Sequence, residues 1–399
     1  MALGIDPYVS DWLDLVFRWF HVVAAIVWIG TSFYFVALDQ HLHEPRDERD
    51  RKRGVGGESW EIHGGGFYRI EKFRVAPRQL PKPLHWYKWE AYWTWLTGFV
   101  LLVVLYYLQA GTNLIDPSVA KLSTGAAVGI SLAGLAIAWV VYDVLCRTVG
   151  RVSELWLAAC VLGLVVLASW GASQLFAARA AYLQVGAMLG TIMAANVFFV
   201  IIPAHWVLVR AKQAGREPDP AANRRGKQRS VHNNYFTLPV LFTMLAGHFP
   251  FTYGHDHAWA ILVCMMVIGA WIRHYFNNRH AGRTLWWIPV TAAGGIAAVA
   301  VWIRPADVSP AAGAPKVTFA QVQPIVAQRC AACHSTHPTL VSAPPKGIVL
   351  ETAAQIHAQA DLIRTVAVDS HVMPLGNVTH MTDAERKLLG TWIDQGAKP

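Results

Sequence analysis

Eight apolar stretches dominate this chain, each near the ~20 residues that a helix needs to cross the hydrocarbon of a bilayer. They run over Trp12–Leu38, Trp89–Leu108, Thr124–Tyr142, Val152–Gly171, Ala180–Val209, His232–Phe249, Ala258–Tyr275 and Leu285–Ile303. The fifth is the longest and has room to tilt or project. Of 399 residues, 54% are hydrophobic and 15% charged, which is more apolar than a soluble protein of this size. Eighteen Trp suit the membrane–water interface. The expected fold is all-α: a polytopic bundle of about eight spans in membrane lipid, over residues 1–303.

The basic residues gather between the stretches. The first loop, Asp39–Lys88, holds Arg46, Arg49, Arg51, Lys52 and Arg53, then Arg69, Lys72, Arg74, Arg78, Lys82 and Lys88. The fifth holds Arg210, Lys212, Arg216, Arg224, Arg225, Lys227 and Arg229, and the seventh Arg273, Arg279 and Arg283. The second has only Lys121, the fourth only Arg179, and the sixth none. Basic loops stay in the cytoplasm, so odd-numbered loops are expected inside and both termini outside. The net charge of +9 then reads as a topology signal, and no nucleic-acid partner is expected. Met1–Asp11 lacks a basic n-region and the apolar run after it is too long for a signal peptide, so the first stretch is expected to stay in the membrane.

After Ile303 the character changes. Arg304–Lys316, with Pro305, Pro310 and Pro315, reads as an extended linker at residues 304–316. Residues 317–399 then carry Cys330-Ala331-Ala332-Cys333-His334. In a C-x-x-C-H motif the two thiols add to the vinyl groups of haem and the His places an imidazole under the iron. A zinc site would want two further ligands at fixed spacing. His337 is near, but there is no second CxxC. Cys330, Cys333 and His334 are therefore expected to hold one covalent haem c in a small all-α class I cytochrome c domain. Pro324 suits the first turn of a helix leading into the motif. Thr382-Asp383-Ala384-Glu385 has the spacing of a capping box, opening a helix through Leu388, Leu389, Trp392 and Ile393 that Gly396 can end. So short a segment builds little core unaided. Covalent haem would add apolar volume. Met373, followed by Pro374 just before this helix, is the expected sixth iron ligand, with Met381, His371 and His380 as rivals. Haem attachment on the outer face of a bacterial inner membrane agrees with the loop charges. Cys146, Cys160 and Cys264 stand singly by apolar helices and read as structural thiols.

Polar residues at membrane depth are costly, and a functional role is the default reading. Arg18 and His21 lie in the outer half of the first stretch, Asn196 in the fifth, and His248 at the outer end of the sixth. His205, His232 with Asn233, and His274 lie toward the inside. Alone, each is an interfacial side chain bonded to backbone or water. Together they form two layers. Imidazoles ligate haem iron and other transition metals, so His21 and His248 are candidate ligands for a non-covalent haem b or another metal. His205, His232, Asn233 and His274 are the candidate catalytic set. Arg46–Arg53 mixes both charges and reads as a solvated segment. Gly64-Gly65-Gly66 has no phosphate-loop or dinucleotide pattern.

The segment Phe20–Ser32, the Gly64–Gly66 loop, Leu84–Glu90, the eight stretches and the C-terminal C-x-x-C-H together resemble the bacterial membrane-bound urate oxidase (urate hydroxylase) family. The resemblance implies oxidation of urate to 5-hydroxyisourate, with electrons passing to the cytochrome domain and on to a periplasmic or respiratory-chain acceptor. No flavin or nicotinamide motif competes as electron acceptor. Two other readings stand beside it: a non-catalytic cytochrome subunit relaying electrons from quinol or another dehydrogenase, and a haem-based redox sensor with a membrane anchor. Replacing both Cys330 and Cys333 by Ser should abolish the haem stain on denaturing gels; a stain that survives the double replacement refutes covalent attachment.

Overall fold

The computed structural model describes residues 7–304 and 316–398. Met1–Asp6 and most of the linker expected at 304–316 lie outside the described residues. The first helix, α1 (Pro7–His41), is followed by the short α2 (Glu48–Lys52), strands β1 (Val55–His63) and β2 (Gly66–Phe73), and α3 (Trp89–Leu102), which continues through a π-helical turn at Val103–Tyr107. Then come α4 (Ala110–Asn113), α5 (Thr124–Arg147), α6 (Glu154–Ser173), α7 (Ala178–Asn196), a π turn at Val197–Ile201, and α8 (Ile202–Gln213). The bundle is completed by α9 (Pro220–Ala246), α10 (Pro250–Tyr253), α11 (Ala258–His280) and α12 (Trp287–Trp302). Among the described residues six helical segments are long and apolar enough to cross a membrane: those of α1, α3, α5, α6, α7–α8 and α11. α12 is apolar but shorter, and α9 is long with a polar first half.

The sixth expected stretch is therefore only the second half of a helix. Asp219 caps the first turn of α9 by accepting from Ala221 N–H, and Pro220 fits the first helical position. Arg224, Arg225, Lys227 and Arg229 thus sit on α9 and not in a loop. Arg273, also read as a loop residue, lies inside α11 and is buried.

The bundle is built around α7, where more than half of the apolar window is buried. Its small residues are the reason. A Cβ on Gly186 would overlap Thr243 of α9, so the two backbones come close enough for direct packing. Ala180, Ala181 and Ala194 are buried along the same helix.

One sheet departs from the all-α expectation. β1 and β2 pair antiparallel, with Trp60 opposite Arg69 and His63 opposite Gly66. Gly64 (φ +58°) and Gly65 (φ +81°) make the turn, and two adjacent left-handed residues favour glycine. Arg69 reaches both Asp50 and Glu58 and holds their carboxyls below the usual carboxylate range. Asp50 is buried in this pairing, so the Arg46–Arg53 run is not simply solvated. Tyr34 donates to Glu61 at 2.7 Å and Lys72 pairs with Asp39, which ties the hairpin to the last turns of α1.

Residues 316–398 form a second, separate core. Its helices are α13 (Phe319–Arg329), α14 (Ala353–Ala358), α15 (Ala360–Ile363) and α16 (Asp383–Asp394). Val322, Val326, Ile356, Leu389 and Trp392 fill its centre. Thr382 and Glu385 make the capping box of α16, and Gly396 follows its end with φ +94°. α13 starts earlier than expected: Thr318 and Gln321 form its own capping box, leaving Pro324 inside the helix and not in its first turn. The lost backbone bond is offset by burial of Val322, Ile325 and Val326 on one face.

This C-terminal unit rests on the end of the bundle where α1 begins. A Cβ on Gly376 would lie 2.8 Å from the carbonyl oxygens of Thr112 and Ile115, Ser370 packs against Gly254, and Ser342 donates to Asp11. The hairpin and the start of α9 lie at the opposite end. Accordingly, Ser118→Cys and Lys398→Cys should label with an impermeant maleimide from one face of sealed vesicles, and Gly215→Cys only from the other. Labelling of all three from one face would refute this arrangement.

Candidate functional site

At the hairpin end, α5, α7 and α9 enclose a polar network. Arg229 is 3% exposed and donates to Asp143 Oδ1 at 2.7 Å and Asn196 Oδ1 at 3.3 Å. Its guanidinium stands 4.9 Å over the Tyr142 ring. Asn196 donates to Asn233 Oδ1 at 2.9 Å and to the Tyr142 hydroxyl at 3.2 Å, and Asn233 donates to Met193 O. The Tyr142 hydroxyl meets His232 Nδ1 at 2.7 Å, and His232 Nε2 meets Glu154 at 3.3 Å. A cavity of about 640 Å³ opens over this network, lined by Arg147, Arg151, Arg224, Arg225 and Arg229 with Glu154. Five guanidiniums against one carboxylate make it attractive to anions.

A second cluster lies between α9, α11 and α1. Arg273 is 4% exposed, stacks 3.6 Å from the centre of the Phe33 ring, and donates from Nε to Asn234 Oδ1 at 2.8 Å. Among the described residues no carboxylate pairs with it. Three polar atoms here are buried without a hydrogen-bond partner: Arg273 Nη2, Asn234 Nδ2 and Asn277 Oδ1. Buried polar groups are ordinarily paired, and an unpaired buried charge is costlier still. One residue along each helix, Tyr235 meets His274 Nδ1 at 2.7 Å, and His274 Nε2 meets Asn278 at 3.0 Å.

The expected catalytic set is thus dispersed. His232 and Asn233 share the first network, His274 belongs to the second cluster, and His205 is exposed, with its ring 6.4 Å from that of Trp86. Among the described residues no three His, Cys, Asp or Glu side chains converge as a metal site. His21 and His248 line one cavity at the opposite end. Asp143, Arg229, Arg273 and Asn277 were not singled out from the sequence as site residues. For Arg273 a signal existed, because it falls within the apolar stretch Ala258–Tyr275.

In the C-terminal unit, Cys330 ends α13. The N–H groups of Cys333 and His334 both bond to Cys330 O, at 3.1 and 2.8 Å, so two thiols and an imidazole share one turn. Burial pushes the Cys330 thiol up to about 11. His334 Nδ1 lies 3.0 Å from Ile348 O, where it must donate, leaving Nε2 as the lone-pair nitrogen. Met373 is half-buried at the edge of the core, whereas Met381 is 3% exposed within it. His371 and His380 both have positive φ.

Removing one partner of a buried ion pair costs roughly 3–5 kcal/mol because the other charge is left uncompensated. Arg229→Met should therefore lower the unfolding temperature in detergent sharply, and adding Asp143→Leu should recover much of the loss. A double variant as unstable as the two single losses combined would show that the pair does not act as a unit.

Residues 7–304 match the urate oxidase N-terminal family. No curated protein and no solved structure matches the chain.

Proposed function

The chain belongs to the urate oxidase N-terminal family, and on that premise we propose that it is a membrane-bound oxidoreductase that converts urate to 5-hydroxyisourate and delivers the electrons to a haem in its C-terminal unit. The observation that carries the substrate side is Arg273: a buried guanidinium without a carboxylate, flanked by two amides with unmet hydrogen bonds and by an aromatic ring. A planar purine anion offers what this cluster lacks. Its negative charge meets Nη2, its carbonyl and N–H edges meet Asn234 Nδ2 and Asn277 Oδ1, and its ring has Phe33 beside it.

The balance is simple. Urate monoanion and water give neutral 5-hydroxyisourate, two electrons and one proton. Arg273 holds the anion, and His274, oriented by Tyr235, is the neighbouring base for the proton. The network from Tyr142 through His232 to Glu154 makes no contact with His274 among the described residues and has no assigned step. His205 stands apart from both clusters and has no assigned step.

Cys330 and Cys333 would bind the haem covalently, and His334, through Nε2, and Met373 would be the residues that ligate its iron. The bond from His334 Nδ1 to Ile348 O supports this, because an imidazole ligand is ordinarily oriented through its second nitrogen. When bound, the haem supplies a one-electron acceptor used twice. Ser370, Val372 and Gly376, which flank Met373, touch the bundle, as does Ser342. The six long apolar helices and the loop charges support an inner-membrane protein with the C-terminal unit outside.

The purified chain should consume urate anaerobically when given an artificial acceptor, with reduction of the haem absorption band. Arg273→Gln should raise KM for urate roughly 10–100-fold, the worth of a charge-assisted hydrogen bond, at unchanged covalent haem content. Urate loss that requires oxygen and yields peroxide, or an Arg273→Gln variant with unaltered KM, would overturn the reading.

A further inference from the structure

We propose that the cavity between α1, α3, α7 and α9 binds a second, non-covalent haem, ligated by His21 and His248 and held at its propionates by Arg18 and Arg179. The cavity has a volume of about 350 Å³, within the range of cofactor pockets. Its wall is mostly apolar. The four cationic or imidazole side chains lie on α1, at the start of α7 and just past the end of α9. Apolar walls with a few convergent polar groups suit a large, flat, mainly hydrophobic ligand with a charged edge.

His21 is prepared as a ligand. Its Nδ1 lies 3.0 Å from Thr94 O and 3.1 Å from Thr97 Oγ1. A carbonyl only accepts, so Nδ1 carries the proton and Nε2 keeps its lone pair. Metal-ligating imidazoles are commonly fixed through their other nitrogen in this way. His248 reaches the same cavity from the end of α9, and its ring makes no hydrogen bond among the described residues. Two imidazoles from different helices are the requirement for axial ligation on both faces of an iron.

Glycines clear the room. Gly98 sits against the His21 ring, where a Cβ would come within 2.9 Å of Cε1. Gly190 lines the cavity and has nothing within 4 Å of where its Cβ would be, so a flat ring system can lie against backbone there. Arg179 has no carboxylate partner among the described residues. Arg18 is bidentate to Asp14, at 2.6 and 2.8 Å, and would serve as the more exposed of the two cations. A quinone would use an imidazole but leave the Arg179 guanidinium without an anion; a haem carboxylate would supply one. The site lies at the end of the bundle that touches the C-terminal unit. Iron alternating between ferric and ferrous would carry the two electrons of urate outward one at a time. The assignment rests on the cavity and not on the substrate, so the two can fail separately.

The test uses the full-length protein purified from membranes. Acid acetone removes non-covalent haem and leaves covalent haem with the protein. One extractable haem per chain is expected, low-spin, and lost or turned high-spin in His21→Ala and in His248→Ala. Because those variants can misfold, His248→Gly is measured with and without imidazole. Return of the low-spin spectrum with imidazole supports ligation, since a structural role would not respond. Gly190→Leu should lower extractable haem while leaving covalent haem intact. No extractable haem, extractable haem with an unchanged spectrum in both Ala variants, or a stoichiometric quinone in its place would each overturn the site. Extractable haem lost on replacing either His, in a protein inactive with urate, would keep the site and reject the substrate.

Discussion

The close approach of α7 to α9 sets the geometry at both ends of the bundle. Gly186 lies so near Thr243 that no side chain fits between them. Lipid gives apolar helices little reason to associate, so helices in a membrane gain chiefly from such packing and from polar contacts across the seam. Here the two work together. Gly186 and Thr243 themselves line the cavity that His21 and His248 also line. Toward the hairpin end, Asn196 at the end of α7 meets Asn233 and Arg229 of α9. A bulkier residue at 186 would disturb both, because the spacing that leaves room for a ligand also lets short amide side chains reach across.

The two buried guanidiniums of the bundle differ in how fully the fold satisfies them. Arg229 has Asp143, Asn196 and the face of Tyr142, so its charge and its donors are met within the fold. Such a residue holds helices in register and gains nothing from a ligand. Arg273 has one amide and the face of Phe33. A buried charge left in that state is costly unless something else completes it. The basic cavity over Arg229 can draw anions toward this end of the bundle, but the unmet hydrogen bonds lie at Arg273.

Parts of this architecture were legible in the sequence for physical reasons. Apolar length announces long helices, and the Thr382–Glu385 spacing announces a helix start, because both are local properties. The start of α9 was also written locally, in Asp219-Pro220, but a run of charges after it read as a loop. Gly64-Gly65 is a hairpin signal; the strands beside it alternate weakly and carry charges whose partner, Arg69, is visible only once the strands pair. Arg273 was counted with the loop charges because position in a membrane is read from charge, and a charge buried by three helices looks the same in sequence as one at the surface. The pairing of His21 with His248 on one cavity joins residues far apart in the chain, and only packing brings them together.

The C-terminal unit touches the bundle through the segment around Met373, and this constrains the direction of any electron flow. Gly376 lies against the carbonyls of α4, and Val372 packs on the bundle's own core. The Ser370–Gly376 segment therefore faces the bundle, while Met373 within it packs on the unit's own core. The proposed membrane haem lies at this same end, while Arg273 lies toward the opposite one. A substrate bound at Arg273 would thus be separated from a haem proposed in the C-terminal unit by much of a bilayer's hydrocarbon, ~30 Å. A carrier in the His21–His248 cavity divides that distance. If urate instead used the cavity itself, with Arg18 and Arg179 taking its charge, the unmet hydrogen bonds of Arg273, Asn234 and Asn277 would have no occupant. The proposed arrangement, with the anion at Arg273 and a haem between it and the docked unit, gives those unpaired groups partners.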